Sequence, residues 1–149
     1  MQNYALGLHP SASANDVAET LDRSIAASLD GSRSVQSAVL SVDVDVPQRP
    51  GEEGIYADLG VEARVVVHFA VDLKLPDGFA ARRTLGRAAA VMSVDLDADA
   101  VLVREYESVL LTRIAGDLTI FDAQGFWRHH RLLDELPRPF EVVERGWLL

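Results

Sequence analysis

Few side chains in this sequence have the types and spacing that chemistry requires. Asp95-x-Asp97-x-Asp99 carries the alternating carboxylates that open a calcium loop. Such a loop also needs glycine at its sixth position, to turn the chain, and glutamate at its twelfth, to close the coordination sphere. Those positions hold Ala100 and Tyr106, which predicts a polar turn instead. His129-His130 is the only adjacent histidine pair. Successive residues of a helix point about 100° apart, so the two rings do not converge on one zinc ion. There is no G-x-S-x-G, no S-x-x-K and no glycine-rich phosphate loop to position a nucleophile or a phosphate. The absence of cysteine excludes thiol catalysis, Cys-ligated zinc and disulfides. The expectation is a protein that is not an enzyme and carries no metal or cofactor.

Two groups of residues suit binding better than catalysis. Asp43 and Asp45 stand two apart in an alternating run, so both carboxylates leave the same side of a strand. Acid–base work there would need a cleft and a perturbed pKa, and neither is visible in the sequence. Glu52, Glu53, Tyr56 and Asp58 lie in the stretch Pro47 to Gly60, which two prolines and three glycines mark as a loop. Loops of that length are functional or mobile. Tyr56 is an aromatic anchor of the kind enriched at interfaces. Asp43, Asp45, Glu52, Glu53, Tyr56 and Asp58 are therefore the candidate partner-binding residues.

Charge narrows the class of partner. The formal net charge is −9, and residues 1–60 hold nine acidic and three basic side chains. An acidic chain repels phosphate backbones, which argues against nucleic acid. A basic protein surface is the natural electrostatic match; solubility alone is the plainer reading. No apolar run approaches the ~20 residues of a membrane span. Met1-Gln2-Asn3-Tyr4 lacks the basic and apolar regions of a signal peptide, which makes the cytoplasm the expected location.

The elements that must position these groups follow from periodicity. Tyr4 to Leu8 reads as a short strand. Ser13 and Asp16 approximate a capping box, and Val17, Leu21, Ile25 and Leu29 form one apolar stripe of a helix that Gly31 can end. Leu40 to Val46 alternates as a strand with one wet side. Val61 to Leu75 alternates over fifteen residues and predicts one long strand, ended by Pro76-Asp77-Gly78. Phe79 to Val94 has helical spacing, with Gly86 allowing close approach to the sheet. Strands are expected at Val101 to Val103, Val109 to Ile114 and Leu118 to Phe121, with a tight turn at Gly116-Asp117. A short helix over Phe126 to Leu136 and an extended piece at Phe140 to Val143 complete the chain. The result is a single α+β domain over residues 1–149. It is a two-layer arrangement with a mainly antiparallel sheet, two main helices and a short C-terminal helix.

The C-terminal third carries a resemblance. Val109-Leu110-Leu111-Thr112-Arg113 passes through Ala115-Gly116-Asp117 to Leu118-Thr119-Ile120, followed by Phe126-Trp127, Arg131-Leu132, Leu136-Pro137 and Phe140. This pattern, with an opening strand and a helix carrying Val17-Ala18-Glu19, resembles the Sit-type immunity proteins of bacterial toxin–immunity systems. The resemblance rests on packing and turn residues, so it transfers no binding residue. It implies a protein that binds and neutralises a cognate toxin without catalysis, and charge suggests a basic one. The alternative is a small-molecule-binding or enzymatic domain with a pocket on the long strand, where His68, Arg64 and Glu62 would converge. A homo-oligomer built through the apolar tail Trp147-Leu148-Leu149 is a third arrangement open to this sequence.

Overall fold

A computed structural model of the chain describes residues 1–10, 13–28, 40–47, 51–123, 125–144 and 147–148. Its first half alternates strand and helix: β1 (Gln2–His9), α1 (Ala14–Ser28), β2 (Leu40–Asp45), α2 (Glu52–Asp58), β3 (Val65–Val71) and α3 (Gly78–Asp95). The second half is mostly strand: β4 (Asp99–Arg104), β5 (Ser108–Ile114), β6 (Asp117–Phe121), β7 (Glu141–Val143) and β8 (Trp147–Leu148). Between β6 and β7 come the one-turn helix α4 (Phe126–His129) and a 3-10 turn at Leu133–Glu135. The sheet order is β2-β3-β1-β4-β5-β6-β7, with β8 paired to the start of β5. All pairings are antiparallel except β6 with β7. The α+β expectation is met.

Local chemistry explains the element ends. Ser13 N–H donates to Asp16 Oδ2 at 3.2 Å and Asp16 N–H donates to Ser13 Oγ at 3.2 Å, a reciprocal capping box at the start of α1. The expected end of that helix at Leu29-Gly31 lies outside the described residues. The β5–β6 hairpin turns at Ala115-Gly116, one residue earlier than expected, with Ile114 opposite Asp117. Both turn residues have positive φ, +51° and +85°, the backbone that matches strand twist in a two-residue loop. The predicted C-terminal helix is broken in two, because Arg131 adopts φ +55° and ends the helical run.

The principal core lies under α1 and α3. Val17 and Leu21 of α1 and Leu85, Ala89 and Met92 of α3 pack on Leu6, Val67, Phe69 and Leu102 of the sheet. α4 and the turn after it close this layer. Gly86 admits them: a Cβ there would meet Leu132 Cδ1 at 2.9 Å and Phe126 Cε1 at 3.0 Å. The close approach is thus to the C-terminal segment and not to the sheet. Arg83 fastens the same segment by donating to the carbonyls of His130 (2.7 Å) and Arg131 (2.9 Å) and by pairing with Glu135.

Two expectations need correction. The fifteen-residue strand is only seven residues long, Val65–Val71. Its partner β1 pairs from Gln2 to Leu8 and then runs out, so the ladder stops although the alternation continues. Val61 and Ala63 alternate because they pack against Tyr56 and Leu59 instead. The loop from Pro47 to Gly60 contains the helix α2, and residues 48–50 of it lie outside the described residues. Gly54 and only seven residues give α2 little intrinsic helicity. Burial of Tyr56 and Leu59 on the far face of the sheet supplies the stabilisation that local propensity does not.

Candidate functional site

α2 defines the second face of the sheet. Its position is set by Gly7 of β1, where a Cβ would come within 2.5–2.9 Å of three Tyr56 ring carbons. The ring lies flat on bare backbone at the centre of the sheet. Glu52 and Tyr56 are four residues apart, so both project from the same side of α2. Both are buried, at 5% and 0% exposure. These two therefore leave the exposed partner-binding set: Tyr56 is a core residue of this face and not a surface anchor. Asp43, Asp45, Glu53 and Asp58 are exposed.

Burial of Glu52 brings together groups that are distant in sequence. Tyr106 Oη donates to Glu52 Oε1 at 3.2 Å, and His68 Nε2 stands 3.7 Å from the same oxygen. The Tyr56 hydroxyl is buried beside this pair, with Tyr106 and Glu52 as polar neighbours but no hydrogen bond of regular geometry among the described residues. Burial, and then the neighbouring Tyr106 and Glu52, push its pKa up from the ordinary tyrosine value, so it stays protonated. A buried hydroxyl without a well-formed hydrogen bond has lost its water contacts for little in return. Tyr56→Phe is accordingly expected to leave stability unchanged or to raise it by up to about 1 kcal/mol, read from urea unfolding midpoints. A loss above that amount would mean the hydroxyl has a partner.

His68 and Tyr106 also line an open groove of about 370 Å³ over the start of β1, with Asn3, Ser41, Asp43 and Glu105 among its walls. Asp43 pairs with His68 across β2 and β3, so a carboxylate and an imidazole stand side by side. Glu105 is fixed by a backbone exchange: Asn3 N–H donates to Glu105 Oε1 at 2.7 Å, and Glu105 N–H donates to Asn3 O at 2.8 Å. Ser41 and His68 are not hydrogen-bonded, so no nucleophile–base pair is assembled here. A second hollow, about 500 Å³, lies on the other side of α2 between Glu53, Glu62 and Arg64. Of these two hollows, His68 lines one and Arg64 and Glu62 line the other.

The other candidate groups take structural roles. Asp97 accepts from Arg113 Nη2 at 2.9 Å, and Asp99 accepts from Ala115 N–H at 3.0 Å, so these carboxylates tie turns together. No cluster of three metal-ligating side chains occurs among the described residues. His130 is buried at 3% exposure, and its Nδ1–H donates to Phe126 O at 2.6 Å. Its Nε2 has no partner, and burial chiefly holds its pKa below the usual histidine value. A histidine held neutral in the fold takes up its proton more readily once unfolded. Its contribution to stability is therefore complete above about pH 6.5 and declines as pH falls below that value. Comparing unfolding free energies at pH 7.5 and 5.5 is expected to show a loss for the wild type that shrinks in His130→Asn.

Asn3, Glu105 and Tyr106 were not legible as site residues. The one available signal was the spacing of Glu52 and Tyr56, which suits a helix face as well as a loop. The backbone of Trp147–Leu148 docks on β5 of its own chain as β8, while Leu149 lies outside the described residues. No helix among the described residues is long and apolar enough to cross a membrane.

Fold and site together describe a small α+β protein whose polar groups gather on an open, carboxylate-rich face. The chain belongs to the SitI3-like family, whose model matches residues 3–131, in agreement with the resemblance to Sit-type immunity proteins. No curated protein and no solved structure matches it.

Proposed function

We propose that this is an immunity protein that binds and neutralises a cognate toxin in the cytoplasm, without catalysis. Membership of the SitI3-like family carries this reading. The exposed face around α2 supports it. Asp43, Asp45, Glu53 and Asp58 stand there in solvent, next to the groove walled by Asp43 and Glu105. A face of this charge attracts a basic partner, speeds encounter and disfavours acidic competitors. Inhibition by covering the toxin requires no chemistry from this chain.

The test is binding to the protein encoded by the adjacent gene. A stable complex is expected whose affinity falls as salt rises from 50 to 500 mM, since exposed charge pairs are screened over about a Debye length. Asp43→Lys combined with Glu53→Lys is expected to abolish protection in cells while leaving the fold intact. Full protection by that variant at native expression would exclude this face. An alternative reading, a small-molecule or enzymatic domain, draws on the same groove beside His68. It is favoured only if a metabolite mixture stabilises the chain thermally and the adjacent gene product does not bind.

A further inference from the structure

We infer that the outer edge of β2 takes an extended segment of the toxin as an added strand, an inference that rests on the toxin-binding reading above. β2 ends the sheet and pairs only with β3 among the described residues. Its six residues span about 20 Å. On such an edge alternate residues turn their N–H and C=O groups outward, a row that a further strand can pair. At the other end of the sheet β7 has only three residues, half the template that β2 offers.

The side chains of β2 define what that strand must carry. Val42 and Val44 pack on the principal core but stay only half-buried, and an apolar residue opposite each would complete their burial. Ser41, Asp43 and Asp45 leave the other face in solvent. Opposite charges on neighbouring strands stabilise the pair, and like charges oppose it. The segment that fits therefore alternates apolar and basic residues over about six positions. Main-chain hydrogen bonds supply the affinity of such a pairing, and the alternation supplies its register and specificity. Charge on an edge guards against unwanted strands, and this edge rejects an acidic one while admitting a basic one. A second copy fits poorly. Each chain carries a net charge of −9, and two β2 strands paired about their centres set these carboxylates face to face.

The test follows amide hydrogen exchange in the isotope-labelled full chain by nuclear magnetic resonance. The chain is measured alone, with the adjacent gene product, and with the capped peptide acetyl-Lys-Val-Lys-Val-Lys-Val-amide. The outward amides of Leu40–Asp45 are expected to exchange faster than the inward ones in the free chain and to slow about tenfold or more with either partner. Protection at alternate residues of one strand marks strand addition; a side-chain contact does not produce it. The same peptide with every backbone nitrogen methylated keeps its charge and loses its donors, so it should give no protection. The glutamate counterpart should bind more weakly. Asp43→Lys is expected to weaken the lysine peptide about fivefold and to strengthen the glutamate peptide by a similar factor, as an attractive cross-strand pair becomes a repulsive one. Equal binding of the methylated peptide, protection confined to residues outside β2, or a dimer that protects β2 in the chain alone would overturn the assignment. A complex with the adjacent gene product that leaves β2 exchange unchanged sinks the added strand and leaves the immunity reading standing. Peptide pairing at β2 without any such complex does the reverse.

Discussion

Trp127→Ala is expected to lower the unfolding free energy by about 4 kcal/mol, a large share of the stability of a domain of this size. Three contacts are lost together. The side chain is fully buried, and its indole stands edge-on to Phe126 with centroids 5.2 Å apart. Its Nε1–H donates to the carbonyl of Leu110 at 2.8 Å, so truncation also leaves a buried acceptor unpaired. Asp122, which accepts from the Trp127 backbone N–H at 2.8 Å, would still cap the turn, so the damage is to packing and not to the chain path. Trp127→Phe keeps most of the apolar volume and should cost about 1–2 kcal/mol. Urea unfolding with an unchanged m-value would measure both. A loss below about 1 kcal/mol in the alanine variant would mean that the C-terminal segment is not docked on α3.

Gly7→Val is the second large effect, at about 3 kcal/mol, and its consequence is functional. The new Cβ alone would overlap the Tyr56 ring at 2.5 Å, and the two methyl groups would extend further into it. Tyr56 has no free volume to move into, because Leu59, Val61, Val66 and Val101 surround it in the same cluster. The least costly response is for α2 to lift from the sheet. Amide exchange should then accelerate in Glu52–Asp58 while β1, β3 and β4 remain protected by the larger core beneath them. Glu52 would leave Tyr106, and toxin binding should fall with it. Pairing Gly7→Val with Tyr56→Ala should cost less than the sum of the two, because the second change removes the ring that the first one strikes. Strict additivity would show that the two residues do not meet.

Both predictions concern contacts that periodicity alone does not reveal. α3 was legible as a helix because its apolar residues repeat at helical spacing. The hairpin was legible because glycine supplies the positive φ that its turn needs. α2 was not, since Gly54 and the flanking glycines give it the composition of a loop, and only burial against Gly7 holds it as a helix. For the candidate site the acidic residues were visible and their grouping was not. Asp43 and Asp45 do face the side of the sheet on which α2 lies. Glu52 and Tyr56 instead turn inward, and Glu105 and Tyr106 join the groove from a turn about fifty residues away.

By itself the sequence determined the element types wherever a period of two or of 3.6 was sustained. It also determined the acidic charge, the lack of any thiol and the absence of a nucleophile motif. These are local or compositional properties, and each can be read without knowing what lies alongside. The tertiary structure decided how long β3 is, because a ladder ends where its partner ends. It decided that α2 is a helix, because burial outweighed weak propensity. It also decided which carboxylate is buried beside His68, because that depends on one strand having no side chain at Gly7. Long-range packing selected the face, and the charges on that face were already written in the chain.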